Sequence, residues 1–122
     1  MRILILEDDK ERSKWFLETF ADCDLTFTKR VPQALSCIRG SSYDIIFLDR
    51  DLGQPKENGE EVAWEMKREK LASDSTVVIH SVNTHGQRAM KKYLESYHSN
   101  VHVIPFPKLM KMKRDDFKLI GS

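Results

Sequence analysis

Leu4-Ile5-Leu6-Glu7-Asp8-Asp9 and Ile45-Ile46-Phe47-Leu48-Asp49-Arg50-Asp51 each run a block of aliphatic and aromatic residues straight into carboxylates. Val77-Val78-Ile79-His80-Ser81-Val82-Asn83 and Val101-His102-Val103-Ile104 repeat the apolar block, the first ending in an imidazole, a hydroxyl and an amide. Short apolar runs without alternation are the mark of strands buried on both faces, as in a parallel sheet covered by helices. The ligand crevice of an open α/β sheet lies outside the carboxyl ends of its strands. The polar residues at the ends of these runs therefore converge on one edge of the sheet.

The segments between the runs read as helices. Asp8 with Glu11 forms a capping box that opens a helix carrying Trp15, Phe16, Thr19 and Phe20. Leu25 to Thr28 is a second, shorter strand. Pro32 suits the first turn of a helix with Ala34, Leu35 and Ile38 along one face, stopped by Gly40. A polar loop with Gly53, Pro55 and Asn58-Gly59 precedes a third helix marked by Val62, Ala63, Met66 and Leu71. Thr84 with Gln87 caps a fourth, carrying Ala89, Met90, Tyr93, Leu94 and Tyr97. Beyond Pro105 and Pro107, the stripe Leu109, Met112, Asp116, Phe117, Ile120 predicts a short last helix over about 107–120, with a frayed basic tail as the alternative. Gly121-Ser122 reads as an appended remnant. Strands alternating with helices of about three turns make right-handed βαβ units, so residues 1–122 read as one α/β domain of five βα units.

With 20 basic and 19 acidic residues the net charge is +1, which gives no charge signature for nucleic acid or an anionic membrane. No apolar run approaches the ~20 residues of a membrane span, and Met1 to Leu6 meets Glu7 too soon for a signal peptide. A cytoplasmic location is expected. Cys23 and Cys37 lack metal-ligand spacing and read as reduced, partly buried thiols.

Taken singly, Asp8 or Asp9 is a helix cap, and Asp49 and Asp51 are turn residues. Two acidic clusters at the ends of apolar strands instead make a hard, oxygen-rich site of the kind that holds Mg²⁺ or Mn²⁺ beside a phosphate. Trp15 and Trp64 read as core or groove-filling residues, His85, His98 and His102 as surface or strand positions, and Lys108 to Arg114 as a solvated basic face.

Ile5 to Asp9, Tyr43 to Asp49, Asn58-Gly59 and the hydroxyl of Ser81 resemble the receiver domain of two-component response regulators over nearly the whole chain. The resemblance implies a flavodoxin-like (CheY-like) doubly wound domain with strand order 2-1-3-4-5. It implies that Glu7 and Asp8 are the metal-binding acids, Asp49 the phosphoacceptor and a metal ligand, the Asp51 carbonyl a further ligand, and Ser81 the switch hydroxyl. One departure concerns the receiver lysine that precedes a proline after the fifth strand: Ile104 precedes Pro105 here, and Lys108 lies four residues later. An aspartyl phosphate needs a cation to neutralise it, so the loss weakens a purely signalling role.

The further pattern Asp49-Arg50-Asp51-Leu52-Gly53, Asn58-Gly59, His80-Ser81-x-Asn83-x-x-Gly86 and Met90 resembles the cyclic-phosphate processing receiver branch, in which His usually stands where Arg50 does. That resemblance implies action on cyclic phosphate ends, such as those of cleaved RNA, or on a small phosphate-containing molecule. Glu7, Asp8, Asp49 and Asp51 would hold the metal, His80 would act as acid or base, and Ser81, Asn83 and Gly86 would hold phosphate oxygens. Asp49 could instead attack phosphorus directly, with Asp51 as acid or base. The alternatives are a phosphoacceptor module modified on Asp49 and a degenerate receiver that only binds a protein partner.

Overall fold

The computed structural model describes residues 1–53 and 57–120; Pro55, the side chain of Ile120 and Gly121-Ser122 fall outside the described residues. In chain order the elements are β1 (Arg2–Leu6), α1 (Lys10–Thr19), β2 (Asp24–Thr28), α2 (Val31–Gly40), β3 (Ile45–Leu48), α3 (Gly59–Glu69), β4 (Thr76–Ile79), α4 (Thr84–Glu95), β5 (Val101–Val103), α5 (Phe106–Leu109) and α6 (Asp116–Ile120). The strands form a parallel sheet in the order β2-β1-β3-β4-β5, as expected for the flavodoxin-like class.

Strand alternation sends side chains to two cores. Leu4, Leu6, Ile46, Leu48, Val77 and Ile79 meet Val62, Met66 and Met90 under α2, α3 and α4. Ile3, Ile5, Ile45, Phe47 and Val78 meet the aromatic layer of Phe16, Phe20, Phe106 and Phe117. Strand register aligns the polar ends as well. Leu6 pairs with Leu48 and Leu48 with Ile79, so Glu7, Asp49 and His80 come next on three adjacent strands. Hydrogen bonds from Asp49 N–H to the Leu6 carbonyl (3.2 Å) and from His80 N–H to the Leu48 carbonyl (3.0 Å) continue the pairing that far. The three residues lie in register two positions beyond Ile5, Phe47 and Val78, on the aromatic side of the sheet.

Three expectations change. The cap of α1 is Asp9, whose carboxylate accepts from Arg12 N–H, and not Asp8. Asp8 is drawn away because its Oδ2 lies against Gly53, where a Cβ would stand 2.6 Å from it and the backbone has φ +67°. The cap of α4 is Asn83 in place of Thr84, and the Gln87 side chain donates to the Ser81 carbonyl. The last helix is broken into α5 and α6. One continuous helix through Phe106, Leu109 and Phe117 would place Lys113 on the same apolar face, and the break keeps Lys113 exposed.

Gly59, which opens α3, is demanded by a close approach. A Cβ there would lie 1.9 Å from the Asp49 carbonyl oxygen. Gly59→Ala must push α3 away from the end of β3, and an expected loss of at least about 2 kcal/mol is checked by urea unfolding. An unchanged midpoint would mean that this contact is readily relaxed.

Candidate metal and phosphate site

The continued register brings together a buried carboxylate pair and an imidazole. Ligand atoms of Glu7, Asp49 and His80 lie within 4.8 Å of one another. The three residues are 1%, 3% and 0% exposed. His80 Nε2 and Glu7 Oε1 are 2.9 Å apart. Glu7 Oε2 accepts from Asp9 N–H (3.1 Å), and Asp49 Oδ1 accepts from Arg50 N–H (2.8 Å). The His80 ring is bordered by Phe16, Phe47 and Phe106. Its Nδ1 is buried and has no hydrogen-bond partner.

Sequence reasoning missed one residue of this cluster. Arg12, in the first turn of α1, extends over the Phe106 ring at 5.1 Å and places Nη1 3.8 Å from Glu7 Oε1 and 3.7 Å from Asp49 Oδ2. A cation in the first turn opposes the helix dipole, so its presence there was the available signal that a carboxylate compensates it. Lys108 does not take this place: it is exposed on α5 and has no ion pair among the described residues.

Burial pushes the Asp49 carboxyl up to about 6; the charge of Glu7 adds to this, while His80, the Arg50 N–H and Arg12 oppose it. Asp8 is also raised, first by burial and then by the neighbouring charge of Glu7. Mutually repelling acids held out of water make a favourable environment for a cation. The two carboxylates are hard oxygen donors that fit Mg²⁺ or Mn²⁺, with the His80 imidazole within 4.8 Å of them.

The other expected site residues lie around this group. Asp8 faces Gly53, and Asp51 is exposed with its carboxylate on Arg50 Nη1 (2.8 Å). Arg50 also donates to Glu60 (2.7 Å), and its stem lies where a Gly86 Cβ would come within 2.6 Å of it. Ser81 is fully buried, and its Oγ accepts from Asn83 N–H (3.1 Å). Asn83 Oδ1 accepts from Gly86 N–H (2.9 Å), so these two groups cap α4 on one another. Elsewhere, His98, expected at a surface or strand position, is instead buried just past α4 because its Nε2 bonds the Ala72 carbonyl (2.8 Å), Trp15 packs edge-on against Phe16, Phe20 and Phe106, and both cysteines are free and partly buried. Among the described residues no helix is long and apolar enough to cross a membrane.

Solved structures share this architecture. The receiver domain of Francisella response regulator 1452 is 18% identical with a TM-score of 0.71, covering 98% of this chain and 95% of its own. Response regulator TrrA of Thermotoga maritima, in complex with Mg²⁺ and BeF, is 21% identical with a TM-score of 0.67, covering 98% and 97%. The Mn²⁺-bound response regulator Rcp1 is 22% identical with a TM-score of 0.66, covering 98% and 88%. No curated protein matches the sequence. At these identities the structures establish the fold alone. The family model described as the cyclic-phosphate processing receiver domain matches residues 2–96, which span the strand ends carrying Glu7, Asp49 and His80. The chain therefore belongs to the cyclic-phosphate processing receiver domain family.

Proposed function

We propose that this domain carries out metal-dependent hydrolysis of a cyclic or terminal phosphate ester, of the 2′,3′-cyclic type, at the carboxyl edge of its sheet. The observation that carries this reading is His80: a fully buried imidazole with Nε2 on Glu7, in register beside the acidic pair. A pocket serving only as an aspartyl-phosphate site needs no proton donor there.

Glu7 and Asp49 would hold the ion, with Asp8 and the Asp51 carbonyl beside them; once bound, it would polarise a phosphoryl oxygen and lower the pKa of a water. As the imidazolium, His80 would deliver its Nε2 proton to the ester oxygen as the P–O bond breaks and return to the neutral ring. Asp49, whose Oδ1 accepts from Arg50 N–H, would take up the proton of the water that attacks phosphorus. Arg12 offsets charge on the phosphoryl oxygens. Ser81, whose Oγ already accepts from Asn83, has its own O–H left to donate, as does the Asn83 amide nitrogen.

Phosphorus NMR of a 2′,3′-cyclic nucleotide with Mn²⁺ tests the reading. Ring opening is expected from the wild-type protein and should fall about 10²- to 10⁴-fold in His80→Gln. Turnover indifferent to His80 would overturn it.

A phosphoacceptor role is favoured by one observation, the Arg12 guanidinium 3.7 Å from Asp49 Oδ2, a cation beside the group to be phosphorylated. Acetyl phosphate with Mg²⁺ would then add one phosphoryl group to the intact protein mass, and Asp49→Asn would abolish that addition.

A further inference from the structure

Between α1 and the edge strand β2 lies a groove of about 370 Å³, within the size range of small-molecule sites. Its floor is apolar and open: Leu17 is 55% exposed and Phe27 38%. Lys10 and Lys14, one helical turn apart on α1, and Lys29, just past β2, stand around it with Ser13. Among the described residues Lys10 and Lys29 make no ion pair, and Lys14 reaches Glu18 only at 4.0 Å.

The groove is continuous with the site already described. Leu6 pairs with Thr28, and Glu7 N–H donates to the Thr28 carbonyl (3.0 Å). Lys29 therefore succeeds Thr28 as Glu7 succeeds Leu6, and the sheet edge reads Lys29, Glu7, Asp49, His80 across four neighbouring strands. Glu7 lines both the groove and the acidic cluster.

We propose that this groove binds the nucleoside portion of a nucleotide, with the base against Phe27 and Leu17 and its phosphate between the lysines and the row of Glu7, Asp49 and His80. Exposed apolar surface and unpaired ammonium groups in one short groove are covered together by an anion with a flat apolar body. Base-on-aromatic stacking needs such a ring, and lysines at three corners favour more negative charge than a monocarboxylate carries. The Ser13 hydroxyl adds a polar partner of the kind that orients a ligand in a mostly apolar pocket. The proposal rests on the reading of the site for the direction in which the phosphate points, but binding does not require turnover.

The test is an amide ¹H–¹⁵N NMR titration of the protein in excess Mg²⁺ with AMP, inorganic phosphate and octanoate. AMP is expected to shift the amides of Leu17, Phe27 and Lys29 saturably and to bind about 10-fold or more tighter than phosphate. Phe27→Ala and Lys29→Gln, both at exposed positions, should each weaken AMP by about 5- to 10-fold while leaving the rest of the spectrum in place. Equal affinity for AMP and phosphate with no effect of Phe27→Ala would overturn the proposal. So would octanoate displacing AMP from the same amides, which would mark an acyl-anion pocket. Turnover of a cyclic phosphate lacking a base, without AMP binding, would sink the groove and leave the hydrolytic reading standing. AMP binding here without turnover of any cyclic phosphate would do the reverse.

Discussion

Asp49→Asn is expected to raise the thermal midpoint of the metal-free protein at pH 7. Asp49 has its carboxyl pushed up to about 6 from an ordinary 3.8, burial being the main cause. The folded protein thus holds that proton more tightly than the unfolded chain does. Ionising Asp49 therefore costs the folded state stability, with the loss growing as pH rises from about 4 to about 6 and constant above that. At ~1.4 kcal/mol per pKa unit the relief in Asp49→Asn is of the order of 3 kcal/mol at pH 7 and vanishes below about pH 4. Asn keeps an oxygen for the Arg50 N–H, so no hydrogen bond is lost with the charge. Denaturant unfolding of both proteins at pH 4 and pH 7 checks it. A variant less stable than wild type at pH 7 would mean that Arg12 and His80 already offset the burial.

Arg12→Ala is expected to act in the opposite direction. Removing the guanidinium leaves Glu7 and Asp49 facing one another without their cation, at a cost of about 1–2 kcal/mol at pH 7, discounted because Arg12 is partly exposed. Since Arg12 lowers the Asp49 pKa, its contribution is present above the pH range of that ionisation and is lost as pH falls through it. The two proteins should converge near pH 4. In the phosphate reaction the same substitution should raise KM about 10-fold or lower kcat, because the charge on the transferring oxygens loses its partner. Equal stability at pH 7 together with unchanged kinetics would remove Arg12 from the site.

The acids at the ends of β1 and β3 were legible because an apolar run that stops at a carboxylate has one reading in a parallel sheet. His80 was legible as a candidate, but its place was not. Alternation alone says that His80 and Ser81 face opposite ways, and only the register of β3 with β4 shows that His80 is the one aligned with Asp49. Arg12 was hidden because its reach to Asp49 depends on how α1 lies across the sheet, which no local pattern encodes. The caps were misplaced by one residue at Asp8 and Thr84 for a related reason. Neighbouring Asp8 and Asp9, or Asn83 and Thr84, are equally able to cap, and tertiary contacts such as that of Asp8 with Gly53 decide between them. The broken last helix reflects Lys113, whose charge a continuous apolar stripe would have buried.

The central claim is that Glu7 and Asp49 hold a divalent cation beside His80, and that phosphate chemistry takes place there. Calorimetric titration of the wild-type protein with Mn²⁺, at pH 7 and again at pH 5, tests it most directly. The account predicts one site per chain, weaker at pH 5 because the ion must displace the proton that buried Asp49 holds up to about 6, and absent in Asp49→Asn. No heat of binding in the wild-type protein, or binding that survives Asp49→Asn unchanged, would contradict the account and leave the domain as a receiver fold that recognises a partner by its surface.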